Sequence, residues 1–338
     1  MQVITENEYG RLLQNLWWRE VAAVRRTEAA KDIVAWLLQT AQIRDEGTKG
    51  GNIHFEDLVT AQTTIEHRFS GAGLKLLRQQ FEDTDGAGLN LAAEWSTQIG
   101  AQMAYWPQLK IADFLKNGHL ASYATGYDGK AFFATNHPSN PYRPNGPTFA
   151  NVFTGAAAPA TATAPAYPGA IDVSEAVPVD TALANLNRVY SYIASIKMPN
   201  GDMPRYLRPR AILAPPALMF RLVQLTNTKV IAQAATGGGA AAADVEASIR
   251  MLGYASPIQV DELAGYENDK TFFVVAEQAA TSQLGAVVFV EREPYRINYY
   301  GPQTDAELSR KDELEWHCKG RNGVTAGHPY LLFKVRAA

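Results

Sequence analysis

The amino-acid sequence predicts an α+β fold, on three observations. Amphipathic stretches of helical period recur through the first two-thirds of the chain, short apolar runs of strand type dominate after Arg208, and no internal repeat is visible. The 338 residues suffice for one large domain or two modest ones, with a core that needs no covalent staples. At 46% hydrophobic and 19% charged, the composition argues against wholesale disorder or a fibrous repeat.

The first amphipathic stretch, Tyr9 to Arg26, sets Leu13, Leu16, Trp17, Val21 and Val24 at helical spacing with Arg11, Arg19 and Arg25 largely off that stripe, and reads as an amphipathic arm or a first core helix. From Ile33 to Ile43 the chain is apolar or uncharged. A charged, glycine-rich tip follows (Arg44, Asp45, Glu46, Gly47, Thr48, Lys49, Gly50, Gly51), then a second extended stretch, which predicts a long hairpin. A two-stranded projection is marginal in water, so this one is expected to lie against its own domain or, in the favoured reading, a neighbouring subunit.

The strongest helical signal begins at the N-cap candidates Thr84 and Asp85, with Ala92, Trp95, Ile99, Met103 and Trp106 every three or four residues. Pro107 removes a backbone donor and is expected to kink or restart the helix, which then continues through Leu109, Phe114 and Leu115 to Asn117 and Gly118. The Ala-, Pro- and Thr-rich run from Thr154 to Gly169 has no period and predicts a loose surface spacer. A further helix starts at Asp180, with Leu183, Leu186, Tyr190, Ile193 and Ile196 on one side, and Pro199, Asn200 and Gly201 stop it.

Beyond Arg208 come the strand candidate RAILA, a helix opened by Pro215 and Pro216, and the apolar runs TFFVVAE and GAVVFVE, which together suggest a second α+β lobe. Within it, the run Gly237, Gly238, Gly239 predicts a mobile loop. YRINYY, ELEWHCK and YLLFKVR alternate as strands expected to return to the first lobe.

Charge and chemistry narrow the function. With 31 basic and 34 acidic residues the formal charge is -3, so no global cationic field grips phosphates and any contact with DNA is expected to be weak and non-specific. Cys318 is the single cysteine, which excludes an intrachain disulfide and four-cysteine zinc sites. The N-terminus shows no signal-peptide pattern and no eighteen-residue apolar stretch occurs, so neither secretion nor a membrane partner is expected. Nucleophile-elbow, zinc-protease, P-loop and dinucleotide motifs are all missing, and no catalytic residue, metal or cofactor is predicted. His317 and Cys318, adjacent on a strand, point to opposite faces and cannot share one ion without distortion. Asp128 and His137 flank Phe132 and Phe133 and could do acid and base work. The Asp128-Gly129 pair, however, is turn chemistry, and His137 precedes Pro138 in a loop.

The segments IGAQMAYWPQ, LKNGH and YDGKAFFATNHPSNP, in that order between Trp95 and Asn140, resemble the hallmark of the Mu-like prophage major head protein (gpT) family. Weaker resemblance runs through AGLKLLRQQFED and the C-terminal half. The resemblance implies the Hong Kong 97-type capsid fold: an N-terminal arm (1–30), an E-loop hairpin (31–77), a peripheral domain (78–207) with its spine helix at 84–118, an axial domain (208–290), and strands returning to the peripheral domain (291–338). It implies a major capsid protein whose pentamers and hexamers form an icosahedral shell around phage DNA, in a virion assembled in the host bacterial cytoplasm. Arg44, Asp45, Glu46 and Lys49 would then be inter-subunit contacts, and Gly237 to Gly239 a loop at the capsomer axis. Scaffold, portal and possible decoration proteins would be partners, the scaffold being separate or removed by processing, because the arm starts almost at Met1. The alternatives are an encapsulin-like compartment, which shares the fold but encloses protein, and a cytoplasmic α+β enzyme using Asp128 and His137.

Overall fold

A computed structural model of the chain describes residues 2–13, 16–29, 31–37, 60–77, 91–143, 145–199, 203–227, 255–278, 285–300 and 313–337, with positions 79, 83 and 201 between them. Backbone contacts group it into two compact units. The first comprises residues 1–33, 64–113 and 288–325, and the second 34–63, 114–287 and 326–338.

In the first unit, helix α1 (Gln2–Leu13) is followed by a 3-10 turn (Trp17–Glu20) and strand β1 (Ala22–Arg26). This corrects the expectation of one helix from Tyr9 to Arg26. The β-branched Val24 favours extended backbone, and β1 gains a partner in strand β11 (Val287–Tyr300). That pairing continues where the Thr27 N–H donates to Glu291 O, and Arg26 forms an ion pair with Glu291 at 3.2 Å.

The N-terminal helix packs on its own unit. α1 lies on helix α2 (Leu91–Asn117), where the buried Thr5 hydroxyl donates to Ser96 O at 3.1 Å. Gly100 permits this approach, since a Cβ there would sit 2.7 Å from Thr5 O. Tyr9 completes a cluster of Ile99, Met103, Ile297 and Cys318. α2 passes through Pro107 without interruption, so the expected restart does not occur; the expected start at Thr84 or Asp85 lies outside the described residues.

The sheet of this unit has the order β1-β11-β12-β4, with β4 at Arg68–Leu77 and β12 at Glu313–Ala326. β11 unites two apolar runs that read separately in the sequence. β4 runs antiparallel to β12 over ten residue pairs, from Leu77 opposite Glu313 to Arg68 opposite Asn322. The expected hairpin is therefore shorter than 31–77. It pairs β2 (Lys31–Leu37) with β3 (Thr60–Glu66), and Lys31 meets Glu66 at 2.9 Å. β4 leaves the hairpin because β12 offers an in-register partner along its whole length.

The second unit is built on a five-stranded sheet, β7-β13-β10-β8-β9, formed by β7 (Val152–Phe153), β8 (Leu207–Ala214), β9 (Ser256–Gln259), β10 (Thr271–Gln278) and β13 (Leu332–Arg336). Central β10 runs antiparallel to both β13 and β8. Its first six residues, Thr271 to Ala276, are all buried, which explains why TFFVVA is almost continuously apolar rather than alternating. Thus β13 lies beside β10, whereas β11 and β12 belong to the first unit's sheet. Helix α3 (Val179–Ser195) begins one residue before the expected Asp180 and buries Leu186, Val189, Tyr190 and Ile193; helix α4 (Pro216–Asn227) opens on its proline, as read.

The Ala/Pro/Thr run lies on the surface as expected, with residues 155–163 all exposed, but it is tied down by hydrogen bonds. Ala158 and Tyr167 exchange backbone hydrogen bonds, and the Tyr167 hydroxyl accepts from the Thr154 N–H and donates to Thr154 O, both at 2.7 Å. Gly169 closes the loop at φ +72, where a Cβ would come within 2.6 Å of Ala157 N. One tyrosine hydroxyl thus organises a segment that lacks hydrophobic period.

Candidate assembly surfaces and a buried signature cluster

The segment 126–138 brings a buried histidine and a buried carboxylate together in the second unit. Gly126 O accepts from the Gly129 N–H to make the expected turn, with Gly129 at φ +72, and the Asp128 carboxylate accepts from the Lys130 N–H at 3.3 Å. The same turn brings Asp128 Oδ2 to 2.9 Å from His137 Nδ1, while His137 Nε2 lies 3.1 Å from Phe132 O. Both ring nitrogens thus face oxygen atoms within hydrogen-bond distance. Burial raises the Asp128 carboxyl pKa, but the hydrogen bond and charge of His137, helped by the Lys130 amide, lower it further, leaving it below the ordinary carboxylate value.

Neighbouring bonds extend this cluster. Tyr127 donates to Pro138 O at 2.6 Å, and Asn151 donates to Phe132 O at 2.7 Å and to Pro329 O at 3.2 Å while accepting from the Ala134 N–H. Phe114 and Phe132 meet edge to face at 4.9 Å, and His137 stacks on Phe149. The side chains of His137 and Asp128 are 0% and 1% exposed, so the pair presents no edge to a substrate. Its geometry is that of an internal staple holding the YDG, FF and HP segments together.

Tyr330 meets Phe149 edge to face and stacks on His328, and the Arg205 guanidinium lies 4.0 Å over the Tyr330 ring. Desolvation, reinforced by Arg205, pushes the His328 imidazole down to about 3. At the hairpin stem, β2 buries Asp32, Val34 and Trp36 alternately. Trp36 donates to Gly327 O at 2.8 Å and meets Tyr127 edge-on. Neither the alternation nor this anchor is legible in KDIVAWL, since Asp32 is buried while Ile33 and Leu37 are exposed, and the partners of Trp36 lie far along the chain.

The expected tip contacts Arg44, Asp45, Glu46 and Lys49, and the expected axial residues Gly237, Gly238 and Gly239, lie outside the described residues. What the described surface offers for assembly is apolar and strand-borne. On β4 no residue is buried and Phe69 is 66% exposed; Leu77, Val24 and Tyr299 are exposed on β4, β1 and β11, and Phe220 is 74% exposed on α4. His317 is half-exposed while Cys318 is buried, confirming their opposite faces. Among the described residues, no group of three His, Cys, Asp or Glu is placed to hold a metal ion, and no helix is long and apolar enough to cross a membrane.

Comparison with known proteins gives these surfaces a context. The family model of the Mu-like prophage major head subunit gpT matches residues 4–163, and that of the phage capsid protein family matches residues 145–335. Among solved structures, the chain is similar to the mature capsid asymmetric unit of bacteriophage PhiM1, at a TM-score of 0.54 and 12% identity over 96% of this chain and 87% of that one. It is also similar to the capsid of cyanophage P-SCSP1u, at a TM-score of 0.53 and 16% identity over 96% and 88%. No curated protein matches it. At these identities the structural likeness fixes the fold, which is of the Hong Kong 97 capsid type. Family models of phage heads span both halves of a chain with that fold, and the chain therefore belongs to the phage capsid protein family, as a major capsid protein whose N-terminal half carries the Mu-like gpT signature.

Proposed function

We propose that this capsid protein assembles through pentamers and hexamers into an icosahedral shell enclosing phage DNA, and that it catalyses nothing. The observation that carries this reading is β4, a ten-residue edge strand of the described sheet with Phe69 two-thirds exposed. Long, apolar, uncovered edges template pairing with other chains, and a protein that stays monomeric blunts them. A shell subunit instead leaves such a surface for the next copy, and repeated heterologous contacts close into rings.

In this reading, 1–30 is the arm and 208–290 the axial domain, with the loop of Gly237 to Gly239 at the capsomer axis. The hairpin of β2 and β3 is the E-loop, rooted on its own subunit by Trp36 and reaching a neighbour with Arg44, Asp45, Glu46 and Lys49. Scaffold, portal and decoration proteins are partners during assembly in the host cytoplasm. The net charge of -3 suits an inner wall that meets DNA weakly. Phage-head family models on both halves favour packaged DNA over the protein cargo of an encapsulin-like shell. The sealed Asp128-His137 pair speaks against the enzyme alternative.

Electron microscopy of the purified full-length protein tests the proposal: rings, tubes or closed shells are expected, and a dispersed monomer under all assembly conditions would sink it. Deleting residues 44–51 is expected to abolish shells while leaving the unfolding transition of the subunit unchanged. Normal particles from that deletion would remove the role given to the tip.

A further inference from the structure

Between helix α3 and the hydrogen-bonded surface loop of residues 157–168 lies an open groove of about 990 Å³, lined by Ala184, Arg188, Ser191 and Ser195 on the helix side. A second hollow of about 380 Å³ shares Pro147, Ala162, Thr163 and Lys197 with it, so the two form one continuous channel wholly inside the second unit. Residues 184, 188, 191 and 195 recur at helical spacing, so one small-residue face of α3 makes the floor. The opposite wall is alanine, proline and threonine. Arg188 spends one donor on Pro168 O at 2.6 Å, which ties helix to loop and leaves further guanidinium donors available.

The charge of this channel departs from that of the molecule. Arg143 lines the smaller hollow, Arg188 the larger and Lys197 the stretch common to both, and among the described residues no aspartate or glutamate lines either. Arg143 and Lys197 are exposed, and neither forms an ion pair with another described residue. In a chain with more acids than bases, a groove whose described lining carries three cations and no acid selects an anionic guest.

We infer that this groove is a docking site for an extended acidic peptide segment of a partner protein. The apolar alanine and proline walls match peptide side chains and prolines, and the cations supply register along its length. Tyr142 is the one strongly exposed aromatic lining the channel, so it lacks the succession of stacking platforms that single-stranded nucleic acid uses. The inference concerns the subunit itself and does not rest on the shell geometry.

The test is fluorescence anisotropy on the full-length, unassembled chain with a labelled ten-residue alternating Glu-Pro peptide, against a Lys-Pro peptide and a thymidine oligonucleotide of equal length. Saturable binding of the Glu-Pro peptide alone is expected, weakened at least about tenfold by R143E with K197E, in keeping with lost charge complementarity. R143Q with K197Q is the milder variant should charge reversal perturb folding. Absence of saturable Glu-Pro binding, or binding unchanged in both double variants, overturns the proposal. Tighter binding of the oligonucleotide overturns it in favour of a nucleic-acid groove.

Discussion

β10 and β4 are strands of similar length with opposite fates. In β10, six consecutive residues are buried between two antiparallel neighbours; in β4, no residue is buried and one edge has no partner among the described strands. The sheet around β10 is complete within its own chain, each large buried side chain contributing roughly 1.5 to 3 kcal/mol. The sheet around β4 keeps apolar positions in water, which makes sense only when another surface covers them. Damage in the first region should unfold the subunit, whereas damage in the second should leave a sound subunit that cannot assemble.

The largest expected effect comes from acid, and falls on the complete region. Because His328 is held at about 3, the unfolded chain binds a proton there at pH values where the folded chain does not. Stability is therefore full above about pH 6.5 and lost as pH falls towards 3, by about 4 to 5 kcal/mol. Asp128, with its lowered pKa, adds a loss in the same direction as it protonates. Urea unfolding of the unassembled subunit across this range should show the decline, and His328→Phe, which keeps the ring stack on Tyr330, should flatten it. An equally steep acid limb in that variant would assign the effect elsewhere.

Next comes Trp36→Ala. Trp36 is 1% exposed and its indole N–H serves Gly327 O, so truncation leaves a cavity and an unpaired carbonyl. A loss of about 3 to 5 kcal/mol in urea unfolding is expected. A loss under about 1 kcal/mol would mean that the hairpin stem is not anchored on its own subunit. Phe69→Ser is the counterpart in the open region. It should change subunit stability by no more than about 0.5 kcal/mol, while raising the concentration needed for assembly by about tenfold or more, the effect of truncating an aromatic contact at an interface. Light scattering during assembly separates the two, and unimpaired assembly would mean that this edge faces solvent in the shell.

The two regions also differ in how readable they were. The apolar runs around RAILA and TFFVVAE declared themselves as central strands because burial on both faces writes a continuous apolar word. The α2 and α3 periods were equally plain. The arm misled because Leu13, Leu16, Trp17, Val21 and Val24 satisfy helical spacing, yet pairing with β11 claims residues 22–26 as strand. β4 misled for the same reason: its partner lies about 245 residues later, and no local pattern encodes a long-range register. The Asp128-His137 pair was visible as two residues, and its burial was not, because Phe149, Tyr330 and Asn151 seal it from other parts of the chain.

The smallest expected effect refines the account of the complete region, at the turn that leads into β10. Glu267, Asn268 and Asp269 all have positive φ, at 47, 58 and 58, a left-handed run that non-glycine residues resist. Two of the three have offsetting contacts. Glu267 bonds the nearly buried Lys334 at 2.6 Å and receives the Thr271 hydroxyl, and the Asp269 carboxylate accepts from the Gly265 N–H at 2.7 Å. Asn268 has no side-chain bond to a described residue to offset its backbone conformation. Asn268→Gly should therefore stabilise the subunit by about 0.5 kcal/mol, relief of the left-handed penalty exceeding the added entropy of the unfolded chain. Loss of more than about 1 kcal/mol in urea unfolding would show that the asparagine side chain holds the turn, and the strain ascribed to it would have to be reassigned to its neighbours.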